Sequence, residues 1–364
     1  MRFETRAIHD GQEPDRLTGA VIVPVYQTST YQQEAIGRHK GYEYSRTGNP
    51  TRHALETALA SLEDGKCGLA FASGVAATTA VLSLLKTGDH IVAGDDMYGG
   101  TYRILEKVLK KWGLSTTYAD VDRIGSFEKA IRKNTRLIWI ETPTNPLLKI
   151  VDIQKLSRVS RRHKVLLVVD NTFASPYFQR PLSLGADIVV HSTTKYIAGH
   201  SDIVGGAVVL NDAKLSSELR YYQNAAGSIP GPWDCWLVLR GLKTLAVRMR
   251  THQENARFLL KYLSRHPKVE RVYYPGFSGM LSFQLKGGRR EVDAFFAHLK
   301  LFALAESLGG VESLISYPAG MTHSSMPHEE RLKRGITDNF IRVSVGIENK
   351  IDLKADILRA LTFV

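Results

Sequence analysis

The sequence predicts an α/β fold: a mostly parallel, doubly wound sheet domain, preceded by an N-terminal arm and followed by an α+β domain. Three observations predict it. From about residue 68, apolar runs of four to six residues rich in Val and Ile alternate with helical stretches. These runs show no polar alternation, so both faces of their strands need cover, as in a parallel sheet flanked by helices. After Pro232, strands and helices segregate instead of alternating, the pattern of an α+β unit. Residues 1–44 carry scattered Pro and Tyr (PVYQTSTYQQ) with little periodicity and read as an arm lying on another subunit. The expected divisions are therefore 1–44, 45–232 and 233–364.

In chain order, GLAF (68–71) predicts a strand and residues 74–86 a helix. HIVAG (90–94) predicts the next strand, with a helix over 101–111. LIWIE (137–141) is a strand, and Asp152 is placed to cap a helix reaching His163. VLLVVD (165–170), DIVVHS (187–192) and GGAVVL (205–210) complete the sheet. Beyond Pro232 the pattern predicts one long helical stretch over 233–265, then the strands VERVYY, MLSFQL and FIRVSV. Helices at about 290–299 and 349–361 lie among and after them.

Composition bounds the function. Of 364 residues, 43% are hydrophobic and 23% charged, ordinary values that exclude bulk disorder. Two cysteines, Cys67 and Cys235, exclude a disulfide framework or a Cys-rich zinc site and fit a reducing compartment. Apolar runs such as Val165–Val169 fall far short of the roughly 18 residues of a membrane span, and the start MRFETRAIHD lacks a signal-type stretch. A cytoplasmic location is expected. The unusual number is the net charge of +12, from 48 Lys+Arg against 36 Asp+Glu. It admits a nucleic-acid binder, an anionic small-molecule ligand, or plain solubility. The basic clusters, Lys107/Lys110/Lys111, Arg158/Arg161/Arg162/Lys164 and Arg289/Arg290, are short. The first two have the spacing of solvated helix faces, which disfavours nucleic acid.

Five segments carry chemistry. In DIVVHSTTKYIAGHSDIVGG a strand ends in Ser192, Thr193, Thr194 and Lys195. A lysine at a strand's carboxyl end, among hydroxyls, suits a lowered pKa and Schiff-base formation. VVDNTF ends an apolar strand in Asp170, which needs a cationic partner such as a protonated pyridine nitrogen. AFASGVAATTAVL places Gly74 and Val75 at a helix start, where backbone N–H groups form an anion site. GYEYSRTGNPTR offers Tyr44 and Arg46 to a phosphate. In DDMYGGTYR, Tyr98 follows a strand end and is placed to stack on a planar ligand. Taken singly, each has an ordinary loop, cap or surface reading. Together they supply what pyridoxal phosphate requires, and no metal-ligand set is expected.

The sequence resembles the Cys/Met-metabolism family of fold-type-I pyridoxal phosphate enzymes nearly end to end, from TRAIHDGQ through VRMRTHQENA, AESLGGVESL and IRVSVGIE. ETPTNP, VVDNTF and HSTTKYIAGHSD are its most specific segments. The resemblance implies that Lys195 carries the cofactor and moves the substrate proton, Asp170 pairs with the ring nitrogen, and Tyr98 stacks on the ring. The Gly74 and Val75 amides and the Ser192 and Thr194 hydroxyls would hold the phosphate, and Asn145 the phenolic oxygen. Tyr44 and Arg46 would reach the phosphate of a neighbouring subunit, implying a dimer-shared site within a homotetramer. Arg342, with Ser307 beside it, would bind the substrate α-carboxylate.

The same resemblance addresses the reaction. Gly100 stands where methionine γ-lyases carry Cys. YGGT and Glu306, the acidic residue before SLGG, argue against a β-lyase, and Glu306 is placed to engage a distal ammonium. Glu43 and Arg103 fit cystathionine-type γ enzymes. The expectation is γ-elimination on cystathionine, with γ-replacement of an O-acyl-homoserine by cysteine as the alternative. One departure is plain: Tyr274-Pro275-Gly276 passes almost directly into Phe277-Ser278-Gly279-Met280, where relatives carry a longer loop.

Overall fold

The computed structural model describes residues 1–324 and 327–364. Its larger sheet has seven strands: β1 (Cys67–Phe71), β2 (His90–Gly94), β3 (Ser115–Ala119), β4 (Thr135–Glu141), β5 (Leu166–Asp170), β6 (Ile188–His191) and β7 (Gly206–Leu210). Their order is β1-β7-β6-β5-β4-β2-β3. The sheet is mostly parallel, as expected, and β7 alone runs antiparallel to both of its neighbours, β1 and β6. The reason lies in the connection. A parallel return needs a crossover, usually a helix, whereas residues 192–205 fold as turns at the carboxyl edge. That turning segment carries Lys195.

Helices cover both faces. Pro50–Leu62, Pro232–Leu242 and the start of Leu245–Leu263 pack one cluster around Leu55, Leu59, Leu239 and Met249. The helix Ile153–His163 extends that face through Leu156 and Val159. On the opposite face, the helix Gly74–Leu82 and the segment 104–109 pack on Leu69, Trp139 and Val190. Burial on both sides is why these strands read as unbroken apolar runs.

The second sheet comprises β8 (Val269–Tyr273), β9 (Met280–Leu285), β10 (Ala303–Leu304), β11 (Leu314–Ser316) and β12 (Phe340–Ser344), in the order β10-β11-β12-β9-β8. Helices Leu245–Leu263, Arg289–Ala297 and Lys350–Leu361 cover it. The short connection after Gly276 closes on itself. The Tyr274 hydroxyl donates to the Ser278 carbonyl at 3.2 Å, and buried Ser278 Oγ donates to the Phe173 carbonyl at 3.0 Å.

Several expectations need correction. The strand β3 was not anticipated: STTYA is polar because it is an edge strand, paired only with β2 and partly exposed. The expected helix over 101–111 is a short α-helix, Gly99–Arg103, followed by a π turn and a 3₁₀ turn ending at Gly113 in the left-handed region. The helix expected to reach Lys86 ends at Leu82. The single stretch over 233–265 breaks at Lys243–Thr244 into two helices. The arm contains a helix, Phe3–His9, docked through buried Ala7 and an Arg6–Asp64 ion pair of 2.7 Å.

Arg248 explains why the second of those helices matters to the lysine turn. Its buried guanidinium donates to the carbonyls of Tyr196 at 2.7 Å, Ile197 at 3.2 Å and Gly241 at 2.8 Å. Removing a buried donor strands its acceptors at about 1–3 kcal/mol each. Arg248→Met is therefore expected to lower stability by at least about 2 kcal/mol, read as a fall in the urea midpoint at unchanged slope.

Candidate active site

The carboxyl ends of β4, β5 and β6, the start of the Gly74–Leu82 helix and strand β12 converge on a cavity of about 300 Å³. This is the edge at which open α/β sheets bind ligands. Lys195 lines the cavity from the turn after β6. Its Nζ donates to Ser307 Oγ at 2.7 Å. Burial, and secondarily the nearby Arg342 charge, pull the Lys195 pKa down to about 8, against a smaller opposing effect of Glu306.

Arg342, on β12, is 3% exposed. It donates through Nη1 to Asn145 Oδ1 at 2.9 Å and through Nη2 to the Ser307 carbonyl at 3.0 Å. Burial lowers its pKa to about 10, so it stays a cation at neutral pH. Ser307 serves both cations from a left-handed backbone, φ +97°. That conformation is costly for a residue with a Cβ, and such strain gathers at functional sites.

Asp170 ends β5 on the cavity wall and accepts a hydrogen bond from the Thr172 amide at 3.0 Å. Among the described residues it joins no ion pair, and burial raises its pKa. Nearby, Ser73 caps the helix by accepting from the Ala76 amide at 3.0 Å. This leaves the first amides, those of Gly74 and Val75, without intrahelical partners. Close packing requires Gly74 there: a Cβ would stand 2.7 Å from Ser192 Cβ. Ser192 and Thr194 line the same cup, although Thr194 Oγ1 already accepts from the Gly205 amide at 2.9 Å.

Tyr98 borders the cavity on the loop after β2. Its ring packs against Gly100, where a Cβ would meet Tyr98 Cε1 at 2.2 Å. Its amide donates to Glu141 Oε2 at 2.7 Å. Glu141, 3% exposed at the end of β4, and Arg248 were missed in the sequence. A carboxylate ending an apolar strand, the signal used for Asp170, marks Glu141 equally well.

Of the expected site residues, Lys195, Tyr98, Gly74, Val75, Asn145, Asp170, Ser192, Thr194, Arg342, Ser307 and Glu306 come together around this cavity. Four do not line it within the chain. Arg46 donates to the Asn224 carbonyl at 3.0 Å, with its guanidinium over the Tyr44 ring. Glu43 pairs with His39 in the arm at 3.0 Å. Arg103 is exposed at the end of its short helix.

A family profile described as "Cys/Met metabolism PLP-dependent enzyme" matches residues 4–362. The chain belongs to this pyridoxal phosphate-dependent family. Cystathionine γ-lyase of Bacillus subtilis is 53% identical, with 99% of each chain covered. A cystathionine β-lyase of Coxiella burnetii is 52% identical, covering 99% of this chain and 97% of that one. A probable cystathionine γ-synthase of Herpetosiphon aurantiacus is 54% identical over 82% of this chain and 99% of its own. The crystal structure of cystathionine γ-lyase from Lactobacillus plantarum complexed with L-serine superposes with a TM-score of 0.97 at 47% identity, covering 100% of this chain and 99% of that one. This family member is therefore an enzyme of the cystathionine lyase and synthase group, with names split among three reactions.

The cavity fits the family's cofactor on its own chemistry. It offers an amine with a lowered pKa, a half-buried carboxyl joined to no cation among the described residues, and a glycine-backed helix start. Two outcomes follow in this Cys/Met-family enzyme. Competitive amine labelling of the apoprotein, read by peptide mass, should show Lys195 half-reactive near pH 8, because its amine is free above its lowered pKa; a midpoint near the ordinary lysine value would contradict the burial described. Gly100→Ala must displace the Tyr98 ring, and fluorescence titration should show pyridoxal phosphate bound roughly five- to tenfold more weakly, the worth of one aromatic stack.

Proposed function

We propose that the protein is a cystathionine γ-lyase, converting cystathionine and water to cysteine, 2-oxobutanoate and ammonia. The observation that carries this reading is the pairing of Arg342, fixed by Asn145 and Ser307, with Glu306 on the same cavity. A cation to take an α-carboxylate and an anion to take a distant ammonium suit a substrate with an amino acid at each end.

The residues divide the work. Arg342 anchors the α-carboxylate bidentately and so orients the Cα–H bond toward Lys195. The Lys195 amine, neutral in large part near pH 8, takes the α-proton and returns a proton further along the chain; Ser307 Oγ steers it between those positions. Asp170 would hold the ring nitrogen of pyridoxal phosphate, the Gly74 and Val75 amides with Ser192 and Thr194 its phosphate, Asn145 its phenolic oxygen and Tyr98 its face. When bound, the cofactor supplies an electron sink for the negative charge left by proton removal. Glu306 binds the distal ammonium of the leaving cysteine.

The arm supports a larger assembly. Leu17, Val21 and Ile36 are exposed at 92%, 74% and 106%, and Tyr44 and Arg46 stand away from the chain's own cavity. We infer that a second copy covers this surface and receives Tyr44 and Arg46 at its own site, within a homotetramer; Glu43 and Arg103 would complete substrate contacts there. Both cysteines are free, in keeping with a reducing cytoplasm.

The γ-synthase reading rests on the relative from Herpetosiphon aurantiacus and uses the same Arg342. Comparing kcat/KM for cystathionine alone with that for O-acyl-homoserine plus cysteine separates the two. At least a tenfold preference for cystathionine, yielding 2-oxobutanoate, is expected; pyruvate as product would mean β-elimination, and the reverse preference a synthase. Glu306→Ala should raise KM for cystathionine about tenfold with a smaller change in kcat, the worth of one charge-assisted contact at ~1.4 kcal/mol.

A further inference from the structure

Glu141 and Asp170 are register partners on adjacent parallel strands, β4 and β5. Neighbouring residues of paired strands project to the same face, so two carboxyls stand side by side on the cavity wall. Two such groups cannot both ionise cheaply in a buried site. Their surroundings differ. Burial first, then the Asp170 charge and more weakly Asp96, raise the Glu141 pKa well above the carboxylate range, against the opposing effects of the Tyr98 amide and Arg342. Glu141 Oε2 accepts the Tyr98 amide at 2.7 Å, a contact spanning 43 residues of sequence.

The loop that carries Tyr98 is held on both sides of that residue by the rest of the fold. The Thr144 hydroxyl donates to Asp96. His323 Nε2 approaches the Met97 carbonyl at 3.4 Å, and Arg334 donates to the Asp95 carbonyl. Gly99 packs so closely that a Cβ would stand 2.4 Å from the Thr322 carbonyl. Glu141 makes the one of these contacts that reaches Tyr98 itself.

We propose that Glu141 is a positioning residue for Tyr98: its carboxylic acid, kept protonated beside Asp170, fixes the Tyr98 backbone and so the seat of the ring, leaving Asp170 as the sole anion for the cofactor's ring nitrogen. The inference rests on the roles proposed above for Tyr98 and Asp170. A neutral acid accepts through one oxygen and donates through the other, which a glutamine amide reproduces and an aliphatic side chain does not.

The test uses the full chain and two readouts, fluorescence titration with pyridoxal phosphate and visible circular dichroism of the bound cofactor, which reports the ring's asymmetric seat. Glu141→Gln should bind within about twofold of the parent with the same dichroism. Glu141→Leu, similar in volume, should bind at least fivefold more weakly with altered dichroism. Equal impairment of both variants would mean that the charge is what matters and would overturn the proposal, as would parent-like behaviour of both. Should the leucine variant fail to fold, the glutamine variant decides alone: impaired binding by it refutes the neutral acid, and parent-like dichroism supports it. Asp170→Asn is the control for the underlying site. If it leaves affinity and spectrum untouched, the ring-nitrogen assignment fails independently of Glu141.

Discussion

A buried arginine and a half-buried lysine, Arg342 and Lys195, meet on one serine. Ser307 takes the lysine amine on its hydroxyl and the arginine on its carbonyl, from a backbone conformation that a serine adopts only under constraint. Lys195 lies in the turn after β6 of the larger sheet, and Arg342 in β12 of the second sheet. The serine therefore joins the two halves of the molecule at the point where chemistry is possible. The Glu306 charge acts on both Lys195 and Arg342 and offsets part of the repulsion between them.

The balance of charge makes the site selective about protonation. Desolvation and Arg342 together push the lysine toward its free amine, while Asp170 sits beside Glu141, whose pKa burial and the Asp170 charge raise well above the carboxylate range. The same burial shifts the lysine and both carboxyls away from their ordinary titration ranges, as is common at functional sites. Stability is supplied from behind. Arg248 braces the lysine turn through three carbonyls, and both sheet faces are covered by helices.

Much of this was legible in the sequence because parallel strands buried on both faces cannot hide their apolar runs, and because Lys195 and Asp170 end such runs. Edge strand β3 was not legible, since a strand with one neighbour and a wet face carries no such run. The break at Lys243–Thr244 was equally silent: no proline or glycine occupies those two positions, and helical residues continue on both sides. Arg342 was assigned through family resemblance, because an arginine on a strand shows its burial only once Asn145 and Ser307 are folded against it. Glu141 carries the same signal as Asp170, a carboxyl ending an apolar strand. Gly100 acquires its physical reason only from the Tyr98 ring lying on it. Tyr44, Arg46, Glu43 and Arg103 read as site residues, yet a single chain leaves them outside its own cavity.

The account stands on Lys195 being the residue that carries the cofactor within this cavity. Borohydride reduction of the cofactor-loaded protein, followed by peptide mass mapping, tests that most directly. One pyridoxyl phosphate per chain, on the peptide containing Lys195, is the predicted result. A modified lysine elsewhere, or none, would contradict it.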